Sequence, residues 1–244
     1  MKIGLIQSQS HKGNIRHNIE QHKYWIDIAV AEKADLIVFP ELSLTSYEPE
    51  LAEKLALDQQ NLGLSEFQQL SDRHQITIGI GLPTKSKSGI FISMVFFQPN
   101  LPYHIYSKQK LHPDEMPYFV AGDKMFVLTI NDLKIAPAIC YEGLQPEHAE
   151  KAMAYGADVY LASVAKPQQN VEKAFSHFSN IAVKYSIPVL MVNCIGHCDN
   201  FKSAGQTSIW DKNGLLIGQL DQSHEGILFY DTESQTSQQK HKGR

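Results

Sequence analysis

The run Asp35-Leu36-Ile37-Val38-Phe39 constrains the fold more than any other feature of this chain. It is continuously apolar, too short for a helix, and stops abruptly at Pro40-Glu41. Such a run fits a strand covered on both faces, as in sheets layered with helices. Similar runs recur at Ile3 to Gln7, Lys134 to Ile139, Asp158 to Ala162 and Pro188 to Asn193. Between them lie helical patterns. Asn14 caps one whose apolar positions include Ile15, Ile19, Ile26, Ala29 and Val30. A second runs from Pro146 to Tyr155, with proline in its first turn and Gly156 past its end. A third carries Val171, Ala174, Phe175, Phe178, Ala182 and Tyr185 along one face.

Glu50 to Leu57 and Ser65 to His74 also read as helices. Ile76 to Leu82 and Ile90 to Gln98 read as antiparallel strands around the turn Lys85 to Gly89, and Tyr103 to Tyr106 as a short strand. Phe126 to Ile130 and Lys134 to Ile139 bracket a hairpin turn at Asn131-Asp132. Gln206 to Trp210, Leu215 to Leu220 and Gly226 to Tyr230 are expected to form a terminal meander, with Asn213-Gly214 as a hairpin turn. The order predicts one α/β domain over residues 1–231, with a mixed sheet system covered by helices. Residues 232–244 read as a polar, disordered tail ending in the basic cluster Lys240 to Arg244.

A net charge of −4 without a basic stripe argues against nucleic acid or anionic membrane as partners. No run approaches the roughly 18 apolar residues that span a bilayer. The apolar stretch Ile3 to Ile6 is too short for a signal-peptide core. Three cysteines, Cys140, Cys194 and Cys198, lack a disulfide framework's spacing. The expectation is a cytoplasmic protein with reduced thiols. Cys194-Ile195-Gly196-His197-Cys198 lacks a second ligand pair at zinc spacing, so no metal is expected and the segment reads as a strand end and loop lining a pocket.

Three strand ends carry chemically useful groups: a carboxylate at Glu41, an ammonium at Lys108 and a thiol at Cys140. Together they suit acyl transfer. The carboxylate removes the thiol proton, the thiolate attacks an electrophilic carbon, and the ammonium stabilises the oxyanion. The following helix start at Pro146 is expected to favour the Cys140 thiolate. A papain-like pairing of Cys140 with His112, His148 or His177 leaves Glu41 and Lys108 unexplained. His148 reads as solvated, His177 as packed or at the surface, and His112 as a candidate substrate contact.

In this order the motifs resemble the nitrilase superfamily of carbon–nitrogen hydrolases, from Lys2-Ile3-Gly4-Leu5-Ile6-Gln7 to Gly226-Ile227-Leu228-Phe229-Tyr230. Phe39-Pro40-Glu41-Leu42, with Tyr47, is similar to the glutamate motif. Tyr106-Ser107-Lys108-Gln109-Lys110-Leu111 is similar to the lysine motif, and Ile139-Cys140-Tyr141-Glu142 to the nucleophile motif. The resemblance implies an αββα sandwich that forms a homodimer. It makes Glu41 the base, Lys108 the oxyanion stabiliser and Cys140 the nucleophile. It places Glu115, in Glu115-Met116-Pro117-Tyr118-Phe119, as an auxiliary carboxylate orienting the lysine, and the Tyr141 N–H in the oxyanion hole. It further implies a small amide and water as reactants, without cofactor. Acyl transfer to an amine, or binding without catalysis, are the alternatives. Lys110 replaces a frequent histidine. Glu142-Gly143-Leu144-Gln145 replaces the arginine-bearing segment of amidases that take carboxylate-bearing substrates.

Overall fold

A computed structural model describes residues 1–242; Gly243 and Arg244 lie outside the described residues. In chain order the first elements are β1 (Lys2–Gln7), α1 (Ile15–Ala31), β2 (Leu36–Val38), α2 (Ala52–Leu55), β3 (Leu57–Asp58), α3 (Ser65–His74), β4 (Thr77–Ser86), β5 (Gly89–Phe97) and β6 (His104–Ser107). There follow β7 (Leu128–Ile130), β8 (Leu133–Ile139), α4 (Pro146–Ala154), β9 (Val159–Val164), α5 (Gln168–Tyr185) and β10 (Val189–Asn193). The chain continues through β11 (Ile195–Cys198), β12 (Phe201–Ala204), β13 (Ser208–Trp210), β14 (Leu216–Gln219), β15 (Gly226–Asp231) and β16 (Thr236–His241).

Two sheets result. One has the order β16-β15-β1-β2-β4-β5-β6, with β3 beside β4; the other runs β14-β13-β10-β9-β8-β7. The parallel pairs β1/β2, β2/β4, β8/β9 and β9/β10 account for the continuously apolar runs, because each strand is covered on both faces.

Side-chain alternation sorts the core into layers. Ile3, Leu5, Leu36 and Val38 from one sheet meet Ile135, Ile139, Leu161 and Leu190 from the other, forming the seam between the sheets. Ile6, Ile37 and Phe39 face outward, under Trp25, Ile26 and Ala29 of α1 and Phe67 of α3. On the second sheet Ala136, Ala138 and Ala162 face Ala149 and Ala152 of α4 and Ala174 and Phe178 of α5. Alanine on both sides lets these helices approach the strands closely. The layers are helix, sheet, sheet, helix: the αββα sandwich. Each fully buried aliphatic or phenyl side chain contributes about 1.5–3 kcal/mol.

One polar bridge between the two sheets lies beside the strand ends that carry Glu41 and Cys140. Ser163 in β9 accepts the Cys140 N–H on its carbonyl at 2.9 Å, and its hydroxyl donates to the Phe39 carbonyl at 3.0 Å. The strand ends preceding the thiol and the carboxylate are therefore docked together.

Three expectations are corrected. The terminal meander does not form: β13 and β14 stay in the second sheet, whereas β15 crosses to pair antiparallel with β1. The tail is not disordered over residues 236–241. It forms edge strand β16, in register with β15, and Lys240 and Lys242 form ion pairs with Glu32 and Glu225. A strand polar on both faces has no hydrophobic signature, and its ladder supplies the order instead. The segment Glu50 to Leu57 holds a 3₁₀ turn at Pro49–Leu51, the single-turn α2 and the start of β3 rather than one helix.

Candidate active site

Glu41 follows β2 on a tight turn. Phe39 N–H donates to Gly79 O and Leu44 N–H to Gly81 O, so the turn lies flat on β4. A Cβ at Gly81 would collide with the Pro40 carbonyl and Leu42 nitrogen, and Leu42 takes φ +52° to complete the bend. Lys108 follows β6. Its N–H donates to Ile92 O at 2.9 Å and its carbonyl accepts from Gly122 N–H at 2.8 Å. Gly122 permits this approach, since a Cβ there would strike the Ser107 carbonyl.

The Lys108 ammonium is fully buried, 2.8 Å from Glu41 Oε1 and 2.6 Å from Glu115 Oε1. Glu115 is held from two further sides: the Tyr47 hydroxyl donates to Oε1 and the His112 N–H to Oε2, each at 2.8 Å. Burial works against the charge on Lys108, but the two carboxylates outweigh it and hold its pKa above that of an ordinary lysine. Burial raises Glu41 above the usual carboxylate range; Lys108 opposes that rise and Glu115 reinforces it.

Cys140 arrives from the other sheet. β8 ends at Ile139, and Cys140 itself adopts φ +48°, leading into a 3₁₀ turn at Glu142–Leu144. Such a conformation costs a β-carbon-bearing residue on the order of 1–3 kcal/mol, so the surroundings must enforce it. Glu142 does so. Its Oε1 accepts the Ile139 N–H at 2.7 Å and the Tyr106 hydroxyl at 2.7 Å, while Oε2 accepts the Gln109 N–H at 2.5 Å. One carboxylate thus clamps the residue before the thiol and the residue after the lysine. Behind it, Tyr106 meets His148 Nε2 at 2.9 Å, and His148 Nδ1 meets the Tyr160 hydroxyl at 2.7 Å. This chain assigns His148 as the neutral Nε2–H tautomer. Burial lowers His148 to about 4 and raises Glu142 to about 7.

The expected acidified thiolate is not found. Burial first, and the Glu41 charge second, push the Cys140 thiol up to about 11, against the pull of Lys166 and Lys108. The 3₁₀ turn separates Cys140 from the start of α4, so the helix end does not dominate. The resting thiol keeps its proton. It points at the Ala165 carbonyl, 3.9 Å away, with Glu41 near enough for its charge to act on the thiol. Glu41 Oε2 is buried without a fixed partner, free to receive that proton.

Cys140 and Tyr141 open onto a cavity of about 350 Å³, with Tyr47, Glu115, Leu144 and Phe201 in its walls. His112 lines it too, stacked edge-on against Tyr141. His148 is buried rather than solvated, inside the tyrosine network. Lys110 is exposed. The segment Cys194 to Cys198 does not line the cavity; Asn200 and Phe201, just beyond it, do. Among the described residues no cluster of three or more metal-ligating side chains occurs; Cys194 and Cys198 pair with each other, Sγ to Sγ 3.6 Å. Sequence reasoning missed the Glu142 clamp and gave Lys166 no role beyond membership of a loop, Lys166 to Asn170, expected to bear on specificity. Lys166 sits two residues beyond β9, so the strand-end criterion that picked out Cys140 also pointed to it.

Comparison with known proteins agrees with this architecture. The family model described as carbon-nitrogen hydrolase matches residues 2–242. A 2-oxoglutaramate amidase of Bacillus subtilis is 24% identical over 239 residues, covering 96% of this chain and 92% of that protein. A glutamine-dependent NAD(+) synthetase of Thermotoga maritima is also 24% identical, over 243 residues and 96% of this chain, but the chain spans only 42% of that protein's length. Among solved structures, a cysteine-to-alanine mutant of the amidase from Nesterenkonia sp. AN1, in complex with butyramide, superposes with a TM-score of 0.87 at 21% identity, covering 96% of this chain and 92% of that one. At that identity the likeness establishes the fold.

Proposed function

The chain belongs to the carbon–nitrogen hydrolase family, and from that premise we propose that it hydrolyses the carbon–nitrogen bond of a small non-peptide amide through a thioester on Cys140. The observation that carries this reading is the buried Glu41–Lys108–Glu115 charge triad beside a thiol on a positive-φ turn.

Glu41 takes the Sγ proton as sulfur bonds to the amide carbon; with the thiol near 11, this proton transfer has to accompany attack. The carbonyl oxygen becomes an oxyanion, stabilised by the third N–H of Lys108 and by the Tyr141 backbone N–H. Collapse breaks the C–N bond, and Glu41 returns its proton to the departing nitrogen. A water then gives a proton to Glu41 and adds its oxygen to the thioester carbon. Sulfur leaves and recovers the proton, releasing the acid. Glu115 holds Lys108 in place, and the lysine stays an ammonium throughout because its pKa is raised.

Ammonia release across a panel of small amides, compared between the native protein and Cys140→Ala, tests the reading. Turnover that disappears with the thiol is expected. Ammonia release undiminished in Cys140→Ala, or none from any amide, would overturn it.

A further inference from the structure

Lys166 is the second deeply buried lysine of the site, 3% exposed, and its circumstances are the reverse of those of Lys108. Its backbone is pinned: the N–H donates to Asn193 Oδ1 at 2.9 Å, and the carbonyl accepts from Ala204 N–H at 2.9 Å, Ser203 Oγ at 3.1 Å and Asn193 Nδ2 at 3.2 Å. The residue lines the cavity that exposes Cys140. Among the described residues its ammonium has no hydrogen bond and no ion pair, whereas Lys108 has two carboxylates. The Lys166 ammonium therefore reaches the cavity rather than a fixed partner.

Glu41 and Glu115 share Lys108 and leave the triad one negative charge in excess, yet neither carboxylate touches Lys166, and Asp114 at the rim is bonded to His112. Lys173, exposed on α5, adds a second cation to the same wall. The cavity thus has the thiol at one place and, beside it, a cation without a direct partner. Ala165 ties the two together, since its carbonyl faces the thiol and its peptide leads directly into Lys166.

Building on the thioester reading, we propose that Lys166 binds a carboxylate on the acyl part of the substrate. The substrate class is then the short ω-monoamide of a dicarboxylic acid. Its amide carbon sits at Cys140, its carboxylate at Lys166, and Leu144 and Phe201 flank the carbon chain. Lys166 is a specificity-determining residue in this scheme.

Two measurements test it. The first compares kcat/KM for the monoamides of succinic and glutaric acid with that for butyramide and valeramide. The native protein should favour the acid amides, and Lys166→Gln should reduce that preference at least about tenfold, chiefly through KM, as expected when a charged hydrogen bond is lost. Lys166→Arg should restore part of it. An unchanged preference in Lys166→Gln, with both substrate types slowed alike, would show that the lysine serves the thiol and overturn the proposal. The second uses the catalytically silenced Cys140→Ala protein and calorimetric titration with succinate and with neutral succinamide. Tighter binding of succinate, by roughly tenfold or more, supports the anion site; equal binding overturns it, whether or not Lys166→Gln folds. Succinate binding without turnover of any amide sinks the hydrolase reading alone. Turnover of neutral amides with no preference for acid amides sinks the anion site alone.

Discussion

Two buried glutamate–tyrosine pairs lie close together, built from the same side chains and put to different uses. In one, Tyr47 donates to Glu115, which faces the Lys108 ammonium. In the other, Tyr106 donates to Glu142, which faces the backbone N–H groups of Ile139 and Gln109. The first pair fixes a charge where an oxyanion would form. The second fixes the chain on either side of the reacting groups. A carboxylate's work is therefore set by its donors, an ammonium in one case and peptide dipoles in the other.

The strongest way to break this comparison is Lys108→Met. It leaves Glu41 and Glu115 buried without their cation, so a loss of about 3–5 kcal/mol in denaturant unfolding is expected, with activity down by at least about 10²-fold. Unaltered stability would mean that the triad does not hold together as a charge cluster. Next comes Glu142→Gln, which cannot accept on both of its ends. A loss of about 1–3 kcal/mol in stability is expected, together with a kcat decrease near 10²-fold and little change in KM, because the reacting groups lose their alignment. A rise in KM alone would place Glu142 in substrate binding instead.

Smaller effects sharpen the contrast. Tyr47→Phe should lower kcat more than melting temperature, and Tyr106→Phe should do the reverse, each removing about 1 kcal/mol of hydrogen bonding. Equal responses would erase the distinction between the pairs. The smallest effects concern pH. The acid limb of kcat/KM should report Glu41 above the ordinary glutamate range, since burial raises it and the base must be ionised. Folded His148 accepts no proton until about pH 4, whereas an unfolded histidine titrates near pH 6.5. Its contribution to stability is present above that range and is lost as pH falls through it. His148→Gln should flatten this slope in thermal melts.

Most of the layer architecture was legible because strands covered on both faces must be apolar throughout, as Leu36 to Val38 are. Glu41, Lys108 and Cys140 were legible because each ends such a run. The partner sheet of β15 was not, since Gly226 to Asp231 reads the same beside β1 as beside β14. Strand β16 was invisible because its order comes from backbone pairing and ion pairs. The Glu142 clamp was hidden, and the strand end marked Lys166 without showing that its ammonium lacks a partner. Each is defined by what lies across a fold from it, and His148 was misjudged because nothing local announces Tyr106 and Tyr160.

The bridge made by Ser163 has a consequence for the life of the chain before it reaches this state. The Glu41 carboxylate and the Cys140 thiol hang from opposite sheets and meet only when β9 docks against the end of β2. In the proposed mechanism, Cys140 until then has no carboxylate to remove its proton and Lys108 no site at which to meet an oxyanion. Reactivity is thus a property of the closed sandwich, and a newly made or partly opened chain carries only an ordinary thiol. The appearance of Cys140-dependent turnover during refolding is accordingly a clock for the docking of the two sheets.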